Sequence, residues 1–206
     1  MPREHVIDGS RVHHAWDASL EPTLRIQPGD VVHFDLKMAG HGQIRQGISY
    51  EHTTVDFATL YHLLGPIHVE GARPGDALEI DILELTPGAW GWCAVLPQLG
   101  LPPEDFPDPF IRYFDLSAGD LTELVPGVPI PINPFLGVMG TLPDDIDTAS
   151  AFPPRTKEAA TSTPGTSPKA PRCSCPSSAT ARCSPAATRT RHRATARCAS
   201  APSKPT

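Results

Sequence analysis

The chain has 206 residues, 39 % of them hydrophobic, with a formal net charge of −6. It contains no apolar run of about 18 residues, which argues against a membrane-spanning helix. Its Met-Pro-Arg-Glu-His start lacks an apolar signal region, so a cytoplasmic location without a membrane partner is expected. Charge is unevenly placed. Residues 155–206 hold 10 of the 17 Lys and Arg but one of the 23 Asp and Glu, leaving −15 in residues 1–154 against +9 in the tail. Beyond Phe152 there is no Val, Ile, Leu, Met, Phe, Tyr or Trp. Residues 1–154 have the size of one domain. Residues 155–206 lack the apolar side chains that offset chain entropy, so a disordered tail is expected there. The acidic head speaks against nucleic acid as a partner. The basic tail leaves open a nucleic-acid role or a charged tail without one.

In chain order, Leu24 to Lys37 reads as strand, turn, strand. In Gln27-Pro28-Gly29-Asp30, proline sets the second turn position and glycine can take φ > 0 at the third. Thr54 to Leu64 could form a helical turn or two, with Val55, Phe57, Leu60 and Leu64 sharing a broad face. Ile67 to Glu70 alternates as a strand. Arg73-Pro74-Gly75-Asp76 repeats the turn and leads into Ala77 to Leu85. There Leu78, Ile80 and Ile82 face one way and Glu79 and Asp81 the other, the pattern of a half-buried strand. Trp92 to Leu96 is a short apolar strand. From Pro97 to Pro154 prolines and glycines are dense, and an ordered loop over the core is expected. Leu136 to Gly140 interrupts it with small and apolar residues suited to close backbone approach. The fold class is mainly β, a sandwich or barrel-like core with little helix.

Alternation places His68 and Glu70 on one strand face. A histidine and a carboxylate two residues apart can share a metal, form an acid/base pair, or simply make a solvated polar face. His13-His14, before Trp16-Asp17, is a second candidate or an ordinary surface loop. Cys93 lies in the apolar run Trp90 to Leu96, where burial would raise its pKa and keep it inert. The other four cysteines (Cys173, Cys175, Cys183 and Cys198) match no usual zinc spacing. No Gly-x-Ser-x-Gly elbow and no phosphate-cradling glycine motif is present.

The segment Gly65 to Asp76 (GPIHVEGARPGD), with the LEIDILEL strand after it, resembles the acetamidase/formamidase family. The segments around His13 and Trp16, the strand-turn-strand of residues 24–35, Gly42-Gln43-Ile44, and the stretch from Asn133 to Arg155 agree in family order. Met38 stands where many members carry an acidic residue. The resemblance covers most of residues 10–155. It implies a hydrolase that cleaves carbon–nitrogen bonds in small linear amides such as formamide or acetamide, giving carboxylate and ammonia, in a β-rich cytoplasmic homo-oligomer. With no serine elbow and no reactive cysteine, a water activated by a divalent metal ion is the mechanism expected for such a hydrolase, with Glu70 as ligand or general base, His13 as ligand and His68 paired with Glu70. The rival reading is a non-enzymatic β-rich binding module whose basic tail contacts nucleic acid.

The family also has late motifs, G-G-N-x-D and a His- and carboxylate-rich G-D-x-H-x-x-Q-G-D-G-E, which this tail does not show. GC-rich codons read out of register yield Ala, Pro, Arg, Ser, Thr and Cys. Shifting the frame by one base lets Ala159 to Gly165 encode G-G-N-L-D-T-R and Ala187 to Arg197 encode G-D-T-H-A-A-Q-G-D-G-E. A frameshift between about Arg155 and Glu158 is therefore expected, with an impaired or inactive chain as its result.

Overall fold

The computed structural model describes residues 1–50, 55–73, 76–95, 104–136, 138–141 and 147–150. It also describes the strand backbones at 159–160, 172–176, 182–183 and 192–201. In chain order the strands are β1 (Glu4–Ile7), β2 (Val12–His13), β3 (Ala15–Asp17), β4 (Leu24–Ile26), β5 (Val31–Leu36), β6 (Leu63–Leu64) and β7 (Ile67–Val69). They continue with β8 (Ala77–Thr86), β9 (Trp90–Val95), β10 (Phe110–Asp115), β11 (Leu121–Val125), β12 (Val128–Pro131), β13 (Met139–Gly140) and β14 (Thr148–Ser150). The last four are β15 (Ala159–Ala160), β16 (Arg172–Pro176), β17 (Arg182–Cys183) and β18 (His192–Ala201).

Five strands form one sheet in the order β1-β5-β18-β8-β16, and three form another in the order β17-β7-β4. Each sheet has one parallel pair, β1 with β5 and β4 with β7. The alternation expected of β5 and β8 is present: Val32, Phe34 and Leu36, then Leu78, Ile80 and Ile82, are buried, while His33, Asp35, Glu79 and Asp81 are half-exposed. These six join Ile26, Leu64, Ile67 and Val69 in one apolar cluster between the sheets. At about 1.5–3 kcal/mol per fully buried aliphatic side chain, that cluster is the main favourable term in the fold. The mainly β reading is thus the observed one.

Both Pro-Gly-Asp turns are closed by their aspartates. Asp30 N donates to the Gln27 carbonyl at 3.1 Å, and Asp30 Oδ2 accepts from Gln27 N at 3.0 Å. Gly29 takes φ of 90°, as the turn requires. Asp76 repeats both bonds with Arg73, at 3.0 and 2.8 Å. Pro74 and Gly75 lie outside the described residues. Asp30 also accepts from Arg3 N at 3.0 Å and faces His5 Nε2 at 3.1 Å, so one buried carboxylate ties β1 to the β4–β5 turn.

Two segments differ from their sequence reading. The helical stretch shrinks to one 3₁₀ turn, Phe57–Thr59, capped by the Asp56 side chain accepting from Ala58 N. Pairing of Leu63 and Leu64 with His13 and Val12 claims the residues that would have extended it. Thr54 lies outside the described residues. The proline-rich region is not a loop throughout: it holds β10 to β14, including the β11–β12 hairpin, with Pro129 and Pro131 inside a strand. Alternate residues turn their N–H groups to the same edge. Two prolines spaced by Ile130 can therefore both sit on the edge away from β11.

In the tail, the backbones of β15 to β18 pair with strands of residues 1–154. Ala194, Ala196 and Cys198 register with Phe34, Val32 and Ile80, and Arg193 and Arg197 register with Asp35 and Asp81. Ladder hydrogen bonds come from the backbone. A strand without large apolar residues can occupy a sheet whose neighbours supply the core.

Candidate active site

The β4–β7 ladder carries the first candidate group. Leu24, Arg25 and Ile26 register with Ile67, His68 and Val69, so apolar residues point to the core and Arg25 and His68 share the opposite face. Glu70 continues that face, its N–H donating to the Ile26 carbonyl at 2.8 Å. Gly71, at φ of 80°, then turns the chain. The Glu70 carboxylate is thereby held between a guanidinium and an imidazole: Arg25 Nη1 lies 3.7 Å from Oε1 and His68 Nε2 lies 3.7 Å from Oε2. The structure brings together His68 and Glu70, as their spacing implies. It adds Arg25, which only the register of a non-adjacent strand could reveal. Arg182, on the far edge of β7, occupies the register position opposite His68.

His13 stands elsewhere, on β2 opposite Leu63. Burial is the main cause that lowers its pKa to about 4, and His14 adds to it while Asp17 opposes. Its neighbour His14 reaches a second group. His14 Nδ1 is 2.8 Å from the Tyr61 carbonyl, and its ring meets His62 edge-on at 4.9 Å between centroids. His41 meets His62 at 5.8 Å between centroids, again perpendicular. His62 is buried, and burial followed by His14 and His41 lowers its pKa to about 4.

The loop that presents His41 is locked from both ends. Gly40 N donates to the Leu60 carbonyl at 2.7 Å. Gln43 accepts from Asp56 N at 2.7 Å and donates to Thr59 Oγ1 at 3.0 Å. The Gly-Gln-Ile motif is thus a clamp, and its glutamine is structural. Met38, at the place of the expected acidic residue, is buried at 7 % exposure. A cleft of about 530 Å³ opens beside His41, between Ile44, Arg45, Ala89 and Trp90. Cys93 is half-buried on β9 opposite Arg112, less enclosed than its apolar neighbours suggested.

The pair proposed from sequence as metal ligands, His13 and Glu70, is divided between the β2–β6 and β4–β7 ladders. Among the described residues no three or more His, Cys, Asp or Glu side chains stand together as a ready-made metal cage. Arg25 and His68 face Glu70, with no second carboxylate or further imidazole beside it among the described residues. The described residues do not fit a metal at that position.

Among the described residues no helix is long and apolar enough to cross a membrane. The acetamidase of Mycolicibacterium smegmatis is 29 % identical over 156 residues, which are 68 % of this chain and 38 % of that protein. The formamidase of Methylophilus methylotrophus is 34 % identical over 76 residues, 36 % of this chain and 19 % of that one. The chain thus spans less than two fifths of the length of these curated relatives. A crystal structure of an acetamidase from Bacillus halodurans superposes with a TM-score of 0.79 at 23 % identity, covering 97 % of this chain and 71 % of that one. A gamma lactamase from Delftia acidovorans gives 0.74 at 19 % identity, over 96 % and 68 % of the two chains. These two show a shared fold. A family model described as the acetamidase/formamidase family matches residues 2–201. The chain belongs to the acetamidase/formamidase family.

Proposed function

We propose that the protein hydrolyses the carbon–nitrogen bond of small linear amides such as formamide or acetamide, releasing carboxylate and ammonia. The observation that carries this reading is the Glu70 carboxylate held 3.7 Å from both Arg25 and His68, within the motif through which the chain resembles its family. Glu70 takes a proton from water as the water oxygen attacks the amide carbon. His68 delivers a proton to nitrogen as the carbon–nitrogen bond breaks. Arg25 fixes the direction of the carboxylate. No step is routed through a metal ion.

Ammonia release from formamide and acetamide tests this directly. Turnover by the intact protein that disappears in Glu70→Gln supports the assignment. Unchanged kinetics in that variant remove Glu70 from the site. Cytoplasmic placement and assembly into a homo-oligomer belong to the same proposal, and fractionation and light scattering check them.

We also propose that the coding frame shifts between about Arg155 and Glu158, leaving this chain less active than one read in the other frame. Its support is the abrupt change of composition at Phe152 and the family motifs permitted by a one-base shift. Independent sequencing of codons 150–160 decides it. A gene that cannot encode those motifs in either frame ends the proposal.

A further inference from the structure

We infer that the β11–β12 hairpin is an arm through which the protein binds a second copy of itself. The inference rests on the proposed homo-oligomer and supplies its contact surface. The first observation is how bare the arm is. Leu121, Leu124, Val125 and Val128 are between 44 and 55 % exposed. Thr122 registers with Ile130, and both are half-buried; Val125 registers with Val128, and both are exposed. Val128 and Ile130 alternate onto one face, and registered partners share a face. That face is covered at the base of the hairpin and bare at its tip. A two-stranded hairpin gains little stability by itself in water, and contiguous exposed apolar side chains mark interaction surfaces.

The second observation is that the arm is held ready. Ile132 N donates to the Asp120 carbonyl at 2.8 Å and closes the base. At the tip Gly127 takes φ of 82° after Pro126, and its N–H donates to Glu123 Oε1 at 3.4 Å. Pro126, Pro129, Pro131 and Pro134 restrict the backbone further. A surface already in its bound shape loses little entropy on docking.

The third is what can dock there. Pro129 and Pro131 carry no N–H, so β12 is a poor edge for an added strand, and contact comes through side chains. Residues 121–136 hold one charged side chain, Glu123, which the turn engages. A charged partner finds no matching set of charges on the arm. Residues 1–154 carry −15 and the whole chain −6, so two copies repel over much of their surface. On the arm that repulsion is nearly absent. A second copy related by a two-fold axis brings the same apolar tip, so the two surfaces match by symmetry. Residues 121–131 are fewer than the about 20–30 per side of a standard interface, so the contact reverses on dilution.

The test is sedimentation velocity of the full chain across a dilution series. The unaltered protein should shift to a smaller species as it is diluted. Val125→Asp and Val128→Asp each place a like charge on both sides of the axis and should weaken association at least about tenfold. Val128→Thr keeps the β-branched shape and should weaken it in the same direction. Leu83→Asp makes an equivalent change off the arm, at a side chain of β8 that is 47 % exposed, and should leave association unchanged. The substituted side chains are exposed, so the fold survives, which circular dichroism checks. Association that persists in all three tip variants overturns the arm and leaves the homo-oligomer reading standing. A chain that stays monomeric at every concentration overturns both.

Discussion

Arg25 and Glu70 come from segments more than forty residues apart, yet parallel pairing of β4 with β7 sets Arg25 Nη1 3.7 Å from Glu70 Oε1. The Arg25 and Glu70 side chains are 59 % and 41 % exposed. Exposed ion pairs contribute about 0–1 kcal/mol. Glu70→Gln should therefore shift the urea midpoint little while removing amide turnover. A large loss of stability would give the pair a structural role instead.

Asp30 is the opposite case. It is 4 % exposed and accepts from two backbone N–H groups, with His5 as a third partner. Asp30→Ala leaves those donors without an acceptor and should cost about 2 kcal/mol or more. The same bonds, led by Gln27 N, lower its pKa to about 2. Its contribution is complete above about pH 4 and fades as pH falls toward about 2. Thermal melts of the variant across that range check both statements.

His13 and His62 give a second pH dependence. Both are held at about 4, chiefly by burial. In the unfolded chain a histidine protonates near about 6.5. The unfolded state then takes up protons first, so stability falls as pH drops below about 6.5 and levels off below about 4. Urea midpoints at about pH 7 and about pH 5 should differ, and His62→Gln should narrow the difference.

Gly9 and Gly47 both have positive φ, of 69° and 82°. A Cβ at Gly47 meets nothing within 4 Å, whereas one at Gly9 runs into the Asp35 carbonyl oxygen and lies 3.0 Å from Lys37 Cε. Gly47→Ala should cost about 1–2 kcal/mol, the cost of left-handed backbone alone. Gly9→Ala should cost clearly more. Paired melting curves distinguish the two.

Local patterns carried much of the fold. The strands β5, β7 and β8 and both Pro-Gly-Asp turns were legible because period-two alternation and turn chemistry act within a few residues. The β11–β12 hairpin was not, because Pro129 and Pro131 erase the local signal while leaving one edge usable. In the candidate site His68 and Glu70 were legible for the same reason as their strand. Arg25 was not, since only parallel pairing supplies it. His41 and His62 were also missed: they meet because Gln43 and Gly40 dock one loop onto residues 56–60. That contact leaves no periodic trace in sequence.

The place of β18 has a consequence for biosynthesis. It lies between β5 and β8 but is made over 100 residues after β8 ends. Until it emerges from the ribosome, β5 and β8 each present an open row of backbone donors and acceptors beside apolar side chains. Such edges recruit other chains, and long-range closure of this kind is slow. The nascent protein must keep β5 and β8 apart from their neighbours until β18 arrives.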